Sequence, residues 1–220
     1  FHVGLGKVAS TYLQYAFFPK LKGIHYIQRT RYKKAPQIIK NSKASKILVS
    51  REFDQQLEDE CRWFSSYHPN AHIIMLLRRH DSWIASQYRR FVKNGESITF
   101  LEFLNVHDDS GRWKRQDLVY LDKIQIVRKY FPEGKILIGF YEELRQQPFV
   151  FFRKLADFMG ADFKNEEISL DTIHSSYNEK QLKVMRAIGR KIFTQNPTFS
   201  KNPFWFWIQR RSRLWACYLI

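Results

Sequence analysis

Between His72 and Leu77 the chain reads His-Ile-Ile-Met-Leu-Leu, and this near-continuous apolar run restricts the fold more than any other feature. It is too short for a buried helix and lacks the in-out alternation of a strand with one wet face. It therefore reads as a strand covered on both sides, the kind found in parallel sheets with helices on each face. The rest of the chain repeats the unit. Short apolar strands are predicted at Phe1–Gly4, Gly23–Gln28, Lys46–Ser50 and Lys135–Phe140. Helical spacing predicts a helix over Ser10–Phe18, with Tyr12, Leu13, Ala16 and Phe17 on its apolar side, and another after Asp54 as N-cap, with Leu57, Cys61 and Phe64 on one face. Further helices are predicted from Asp81 as N-cap to about Phe91, over Asp117–Tyr130, from Pro148 to Gly160, and over Asn178–Phe193. Stretches 29–46 and 95–116 lack a period and read as a basic excursion and an irregular polar section. The expectation is one α/β domain over 1–220, a parallel β-sheet flanked by helices in three layers, with 196–220 as an aromatic and basic C-terminal segment. Ligands of such sheets bind beyond the carboxyl ends of the strands, where the strand order reverses. The loops after Val3, Val49 and Leu77 are therefore the ones to read for chemistry.

Charge narrows the ligand. Lys and Arg number 37 against 21 Asp and Glu, a formal net charge of +16. Solubility needs less than this, about +2 to +8 for a small domain, so an anionic partner is indicated: nucleic acid, a phosphorylated cofactor, an acidic glycan or a membrane surface. No motif of a nucleic-acid reader is present, neither paired zinc ligands nor an aromatic RNP strand. Cys61 and Cys217 have no paired spacing, which is neither a disulfide framework nor a zinc pattern. The one Asn-x-Thr, at Asn196, is cancelled by Pro197. Both features lean toward a cytoplasmic protein. No apolar run reaches the roughly 18 residues that a membrane span needs. Phe1 opens a strand, so the numbering is expected to begin inside a longer chain, and a preceding signal or anchor stays open.

The loop after the first strand reads Gly4-Leu5-Gly6-Lys7-Val8-Ala9-Ser10-Thr11. Small residues, a lysine and two hydroxyls at a helix start suit an anion, which would meet unpaired backbone N–H groups and the positive end of the helix dipole. The same composition also makes a tight strand-to-helix turn with Ser10 as N-cap. A Walker A loop is excluded, because Lys7 is followed by Val8 and the upstream glycine is missing. A kinase would also need groups to hold magnesium, and none stands out.

From His2 to Gln14 this segment resembles the 5′-phosphosulfate-binding loop of the sulfotransferases that use PAPS (3′-phosphoadenosine 5′-phosphosulfate). Lys7, Ser10 and Thr11 fall on the family's Lys, Gly/Ser and Thr positions, with Val8 where a smaller or polar residue is usual. A second segment, Leu76 to Tyr88, resembles the family's 3′-phosphate motif. Arg78 ends the buried strand, Ser86 follows eight residues on and Tyr88 two beyond that, with His80 where the family usually has Pro. An Arg fork and a hydroxyl can hold a dianionic phosphate without metal. Singly, Arg78 is a cation at a strand end and Ser86 a helix hydroxyl bonded to its own backbone; together, at this spacing and in this order, they carry the resemblance. Lys135 to Leu144, with the helix after Pro148, resembles the family's late strand and Tyr-Glu-Asp-Leu segment, where Tyr141 and Glu142 read as structural.

The resemblance implies a P-loop NTPase-like sulfotransferase fold, PAPS as co-substrate, no metal, and transfer of a sulfuryl group to an acceptor hydroxyl or amine. It implies donor contacts from Gly6, Lys7, Val8, Ala9, Ser10, Thr11, Arg78 and Ser86, with Lys7 also catalytic. The general base stays open between Glu52, in the Ser50-Arg51-Glu52 that follows the third strand, His25 and His80. The acceptor would be a glycan, a lipid or a small molecule, met by loops 29–45 and 95–116. The basic run Arg29-Thr30-Arg31-Tyr32-Lys33-Lys34 suits either an acidic acceptor or solvent. The tail from Phe204 to Trp215 could lie on an anionic membrane surface, pack on the domain, or cover the donor with Ser200 and Lys201.

Overall fold

The structure, a computed structural model, describes residues 1–94, 96–171, 179–192, 202, 204, 205 and 208. These divide into two compact units, Phe1–His80 with Gln116–Ile173, and Asp81–Arg115 with His174–Ile220. The first unit holds the strands β1 (His2–Gly4), β2 (His25–Ile27), β3 (Ile47–Val49), β4 (Ile73–Leu77) and β5 (Ile136–Phe140). All pairings are parallel. β4 lies between β1 and β5, with Val3 opposite Met75 and Leu76 opposite Gly139, and β2 pairs with β3 through Tyr26 and Leu48. The two sheets are joined where the chain leaving β3 runs on beside β1. His2 bridges Ser50, the Arg51 N–H donates to the His2 carbonyl (3.0 Å), and the Phe53 N–H donates to the Gly4 carbonyl (2.7 Å). The lateral order is thus β2-β3-β1-β4-β5. The chain leaves β1 toward one side and crosses to β4 on the other, so the carboxyl end of β1 is the switch point at which such sheets take ligands.

β4 is buried along its whole length, as its unbroken apolar run demands. Helices cover the sheet. Ser10–Tyr12 opens α1, α2 is Ala35–Asn41, and α3 is Leu57–Ser65. Later in this unit come Tyr120–Tyr130, Tyr141–Gln146 and Pro148–Met159 (below, α6, α7 and α8). One core cluster stacks Phe17 on Phe152 (ring centroids 4.6 Å apart) with Phe163 edge-on, and a second gathers Phe1, Tyr32, Phe53, Phe64 and Phe131. Gly139 is where α8 meets the sheet, since a β-carbon there would stand 2.8 Å from the Phe151 ring.

The second unit contains α4 (His80–Lys93, entering from the first unit), α5 (Phe100–Phe103) and α9 (Glu179–Ile192). Its core sets Trp83 edge-on to Trp113 (5.2 Å) and groups Phe103 with Tyr88, Phe91 and Trp113, while Val92 and Met185 are buried together.

Several expectations are corrected. The helix expected over Ser10–Phe18 is α-helical for one turn only. It widens into a π-helical turn over Leu13–Phe17 and tightens to 3₁₀ over Phe18–Lys20, because Pro19 has no N–H and its ring would strike the carbonyl four residues back. The supposed excursion at 29–46 is a 3₁₀ turn, Arg29–Lys34, followed by α2. Tyr32 and Ala35 are buried at helical spacing, and the surrounding Lys and Arg diluted that period. The section 95–116 contains α5, opened by a capping box between Thr99 and Glu102. Asp81 lies inside the first turn of α4 instead of ahead of it. The N-cap position of α3, which begins at Leu57, is taken by Gln56 and not by Asp54, and the Gln56 side chain makes no cap bond. No described helix is long and apolar enough to cross a membrane.

Candidate active site

Gly4 ends β1 at φ 137°, a conformation open to glycine alone at little cost, and a β-carbon there would stand 3.2 Å from the Leu76 backbone. The chain then turns through two left-handed residues, Lys7 (φ 68°) and Ala9 (φ 67°), before α1. Each such residue carries a cost of about 1–2 kcal/mol when it is not glycine. Alternation of this kind aims successive backbone N–H groups into one concavity, the geometry of an anion nest. Leu5 and Val8 are fully buried and anchor the loop, so Val8 can offer a ligand only its backbone. Ser10 is buried too, its hydroxyl 3.5 Å from the Leu5 carbonyl. Thr11 and Lys7 are half-exposed.

The Gly6 N–H points elsewhere, donating to Oδ1 of Asp54 at 2.9 Å. Asp54 is one of three half-buried carboxylates around a buried lysine that local sequence patterns did not reveal. Lys123 on α6 is 7% exposed. Burial presses its pKa down, and Asp117, Asp54 and Asp122 oppose that shift. Gln55 holds Asp117 (2.9 Å). Nothing near Asp54 in the chain indicates a partner 48 residues away.

Arg78, at the end of β4, meets the loop directly. Its guanidinium donates to the Lys7 carbonyl at 3.0 Å and stands 4.3 Å from the centre of the Tyr141 ring. The Tyr120 hydroxyl donates to the Arg78 carbonyl at 2.6 Å. Two motifs 71 residues apart thus touch at the switch point of the sheet. Next to them, Glu142 accepts the Arg79 N–H (3.2 Å). Tyr141 and Glu142 therefore buttress the arginine strand end. Ser86 is buried on α4 in the second unit.

The three candidate bases differ in setting. His25 Nδ1 lies 3.1 Å from the Ser42 hydroxyl. His80 donates through Nε2 to the Leu118 carbonyl (2.8 Å) and stacks on Tyr120 with ring centres 4.1 Å apart. Glu52 is half-buried, and the backbone bonds of Arg51 and Phe53 to β1 hold it beside the start of the Lys7 loop. Below it lies a buried polar network. Ser50 Oγ is 2.7 Å from His2 Nδ1 and accepts from Gln14 Nε2 at 3.0 Å, while the Tyr26 hydroxyl donates to the Gln14 carbonyl at 3.2 Å. Burial raises the Tyr26 pKa; Ser50 and Arg29 oppose the shift, and Glu52 adds to it. Among the described residues no three His, Cys, Asp or Glu side chains form a group able to hold a metal ion. Ser200 and Lys201 lie outside the described residues.

Known proteins give this arrangement a class. The sulfotransferase domain family matches residues 61–204, about two thirds of the chain, and the chain belongs to that family. The match takes in Arg78 and Ser86, and the Lys7 loop lies ahead of it. In structure the chain resembles a sulfotransferase from Alicyclobacillus acidocaldarius, with a TM-score of 0.57 and 14% identity over 98% of this chain and 94% of that one. It is also similar to mouse sulfotransferase SULT7A1 complexed with PAP, with a TM-score of 0.45 and 15% identity over 86% of this chain and 62% of that one. No curated protein sequence matches the chain. The parallel sheet flanked by helices is the sulfotransferase variant of the P-loop-like fold, and the activity of the family is sulfuryl transfer.

Proposed function

We propose that this sulfotransferase draws its sulfuryl group from PAPS and delivers it in line to an acceptor hydroxyl or amine. The observation that carries the reading is the bond from Arg78 to the Lys7 carbonyl, which joins an arginine strand end to a nest-forming loop at the sheet's switch point. In this reading Lys7 and the N–H groups of Val8 to Thr11 surround the 5′-phosphosulfate, and Arg78 takes the 3′-phosphate. The Gly6 N–H, already bonded to Asp54, shapes the loop and does not contact the donor.

Glu52 takes the acceptor proton as the new oxygen–sulfur (or nitrogen–sulfur) bond forms. The sulfur–oxygen bond to the phosphate breaks with its electron pair on the bridging oxygen, leaving adenosine 3′,5′-bisphosphate. Lys7 and the loop amides stabilise that developing charge before any solvent can. Removal of one such donor typically costs about 2.7–4 kcal/mol of barrier, so Lys7→Ala is expected to lose roughly 10²–10³-fold in kcat. Arg78→Ala is expected to act chiefly on donor affinity. The test is a thermal shift with adenosine 3′,5′-bisphosphate beside ATP with magnesium, followed by turnover of labelled PAPS. Stabilisation by ATP with magnesium and none by the bisphosphate, or full turnover by Lys7→Ala, refutes the reading.

A further inference from the structure

Arg29 leaves the carboxyl end of β2 as Glu52 leaves that of β3. The two strands are parallel and in register up to Ile27 opposite Val49, so both residues emerge on the same rim of the sheet. Both charges act on the hydroxyl of Tyr26 in β2, with opposite signs. The guanidinium of Arg29 stands over the ring of Tyr15, 5.8 Å from its centre, and Tyr15 is 54% exposed. Elsewhere in the same basic turn Lys33 is committed to structure, paired with Glu60 at 2.6 Å and lying over Trp63 at 4.4 Å. Arg29 is half-exposed and makes no ion pair among the described residues. A guanidinium fork beside an open aromatic ring matches a planar carboxylate carried on a ring with apolar faces.

We infer that Arg29 and Tyr15 select an acceptor that carries a carboxylate next to the hydroxyl to be sulfated, namely a hexuronate-bearing saccharide. This rests on Glu52 lying at the acceptor end of the proposed site. Tyr15 supplies a face for the sugar ring, Arg29 takes the carboxylate, and the neighbouring hydroxyl is left toward Glu52. The exposed Arg31 and Lys34 add long-range attraction without setting geometry.

The test uses a glucuronate-containing tetrasaccharide and its carboxyl methyl ester, bound to the full chain with adenosine 3′,5′-bisphosphate present, at about 0.15 M salt. The wild type is expected to prefer the acid form by about tenfold or more, the range of one charge-assisted hydrogen-bonded pair. Arg29→Gln brings the two forms within about twofold, Arg29→Lys keeps part of the preference, and Arg31→Gln keeps all of it. Equal binding of acid and ester by the wild type, no binding of either, or a preference that survives Arg29→Gln overturns the inference. So does Arg29-dependent binding of anionic phospholipid vesicles in place of the saccharide. A wild type that binds the bisphosphate but ignores the saccharide defeats this inference alone; one that does not bind the bisphosphate defeats the donor assignment as well.

Discussion

Asp54 reads in the sequence as the N-cap of α3, yet it stands three residues ahead of the helix and its carboxylate accepts the Gly6 N–H. The helix can start uncapped because its first turn carries Glu58, Asp59 and Glu60, which already suit the dipole. The loop has no such alternative: a half-buried N–H beside two left-handed residues needs an acceptor from outside. Asp54→Ala is accordingly expected to lower unfolding free energy by about 1.5–3 kcal/mol, the range for a hydrogen bond to a charged group, whereas Asp54→Asn keeps an acceptor oxygen and loses less. Urea denaturation of the three proteins measures this, and equal losses for Ala and Asn would show that the bond to Gly6 is incidental. The residue types Lys7, Arg78 and Glu52 were legible in the sequence because each follows a strand. Asp54 and Lys123 were not, because their partners are set by how the chain returns past β1, and no local pattern encodes that return.

At the scale of elements, five strands were read at their correct places to within a residue or two, since apolar runs between turn residues leave little alternative. Failures came where a second force competed with periodicity, at Pro19 in the first helix and in the basic turn before α2. The junction of β1 with β3 has its own chemistry. His2 is 1% exposed and bonded to Ser50, and burial presses its pKa down to about 3. The folded value lies below the ordinary 6.5, so between those limits the unfolded chain takes up a proton that the folded one refuses. Stability from this site is complete above about pH 6.5 and drains as pH falls, by up to roughly 1.4 kcal/mol per unit. His68, also lowered by burial, acts with the same sign. Unfolding curves at successive pH values down to about 5, above the range of ordinary carboxylates, should show this slope. It should flatten in His2→Gln, and an unchanged slope would assign the acid sensitivity to another group.

The whole molecule carries +16, and exposed ion pairs such as Lys129–Glu58 and Arg153–Asp162 are worth at most about 1 kcal/mol each. Self-repulsion therefore opposes compaction while the same field draws in anions. Raising sodium chloride from about 0.05 to 0.5 M shortens the screening length severalfold, so Tm without ligand is expected to rise while association with the bisphosphate slows. A falling Tm would mean that attractive pairs outweigh the repulsion. The sequence by itself determined the class of fold, because unbroken apolar strands must be covered on both faces, and it pointed to an anionic partner, because charge is a sum that needs no coordinates. Only the tertiary structure decided that Arg78 bonds the Lys7 carbonyl, that Asp54 serves the loop, and that Arg29 and Glu52 share one rim. Those juxtapositions depend on strand order and register, which arise from contacts between segments far apart in the chain.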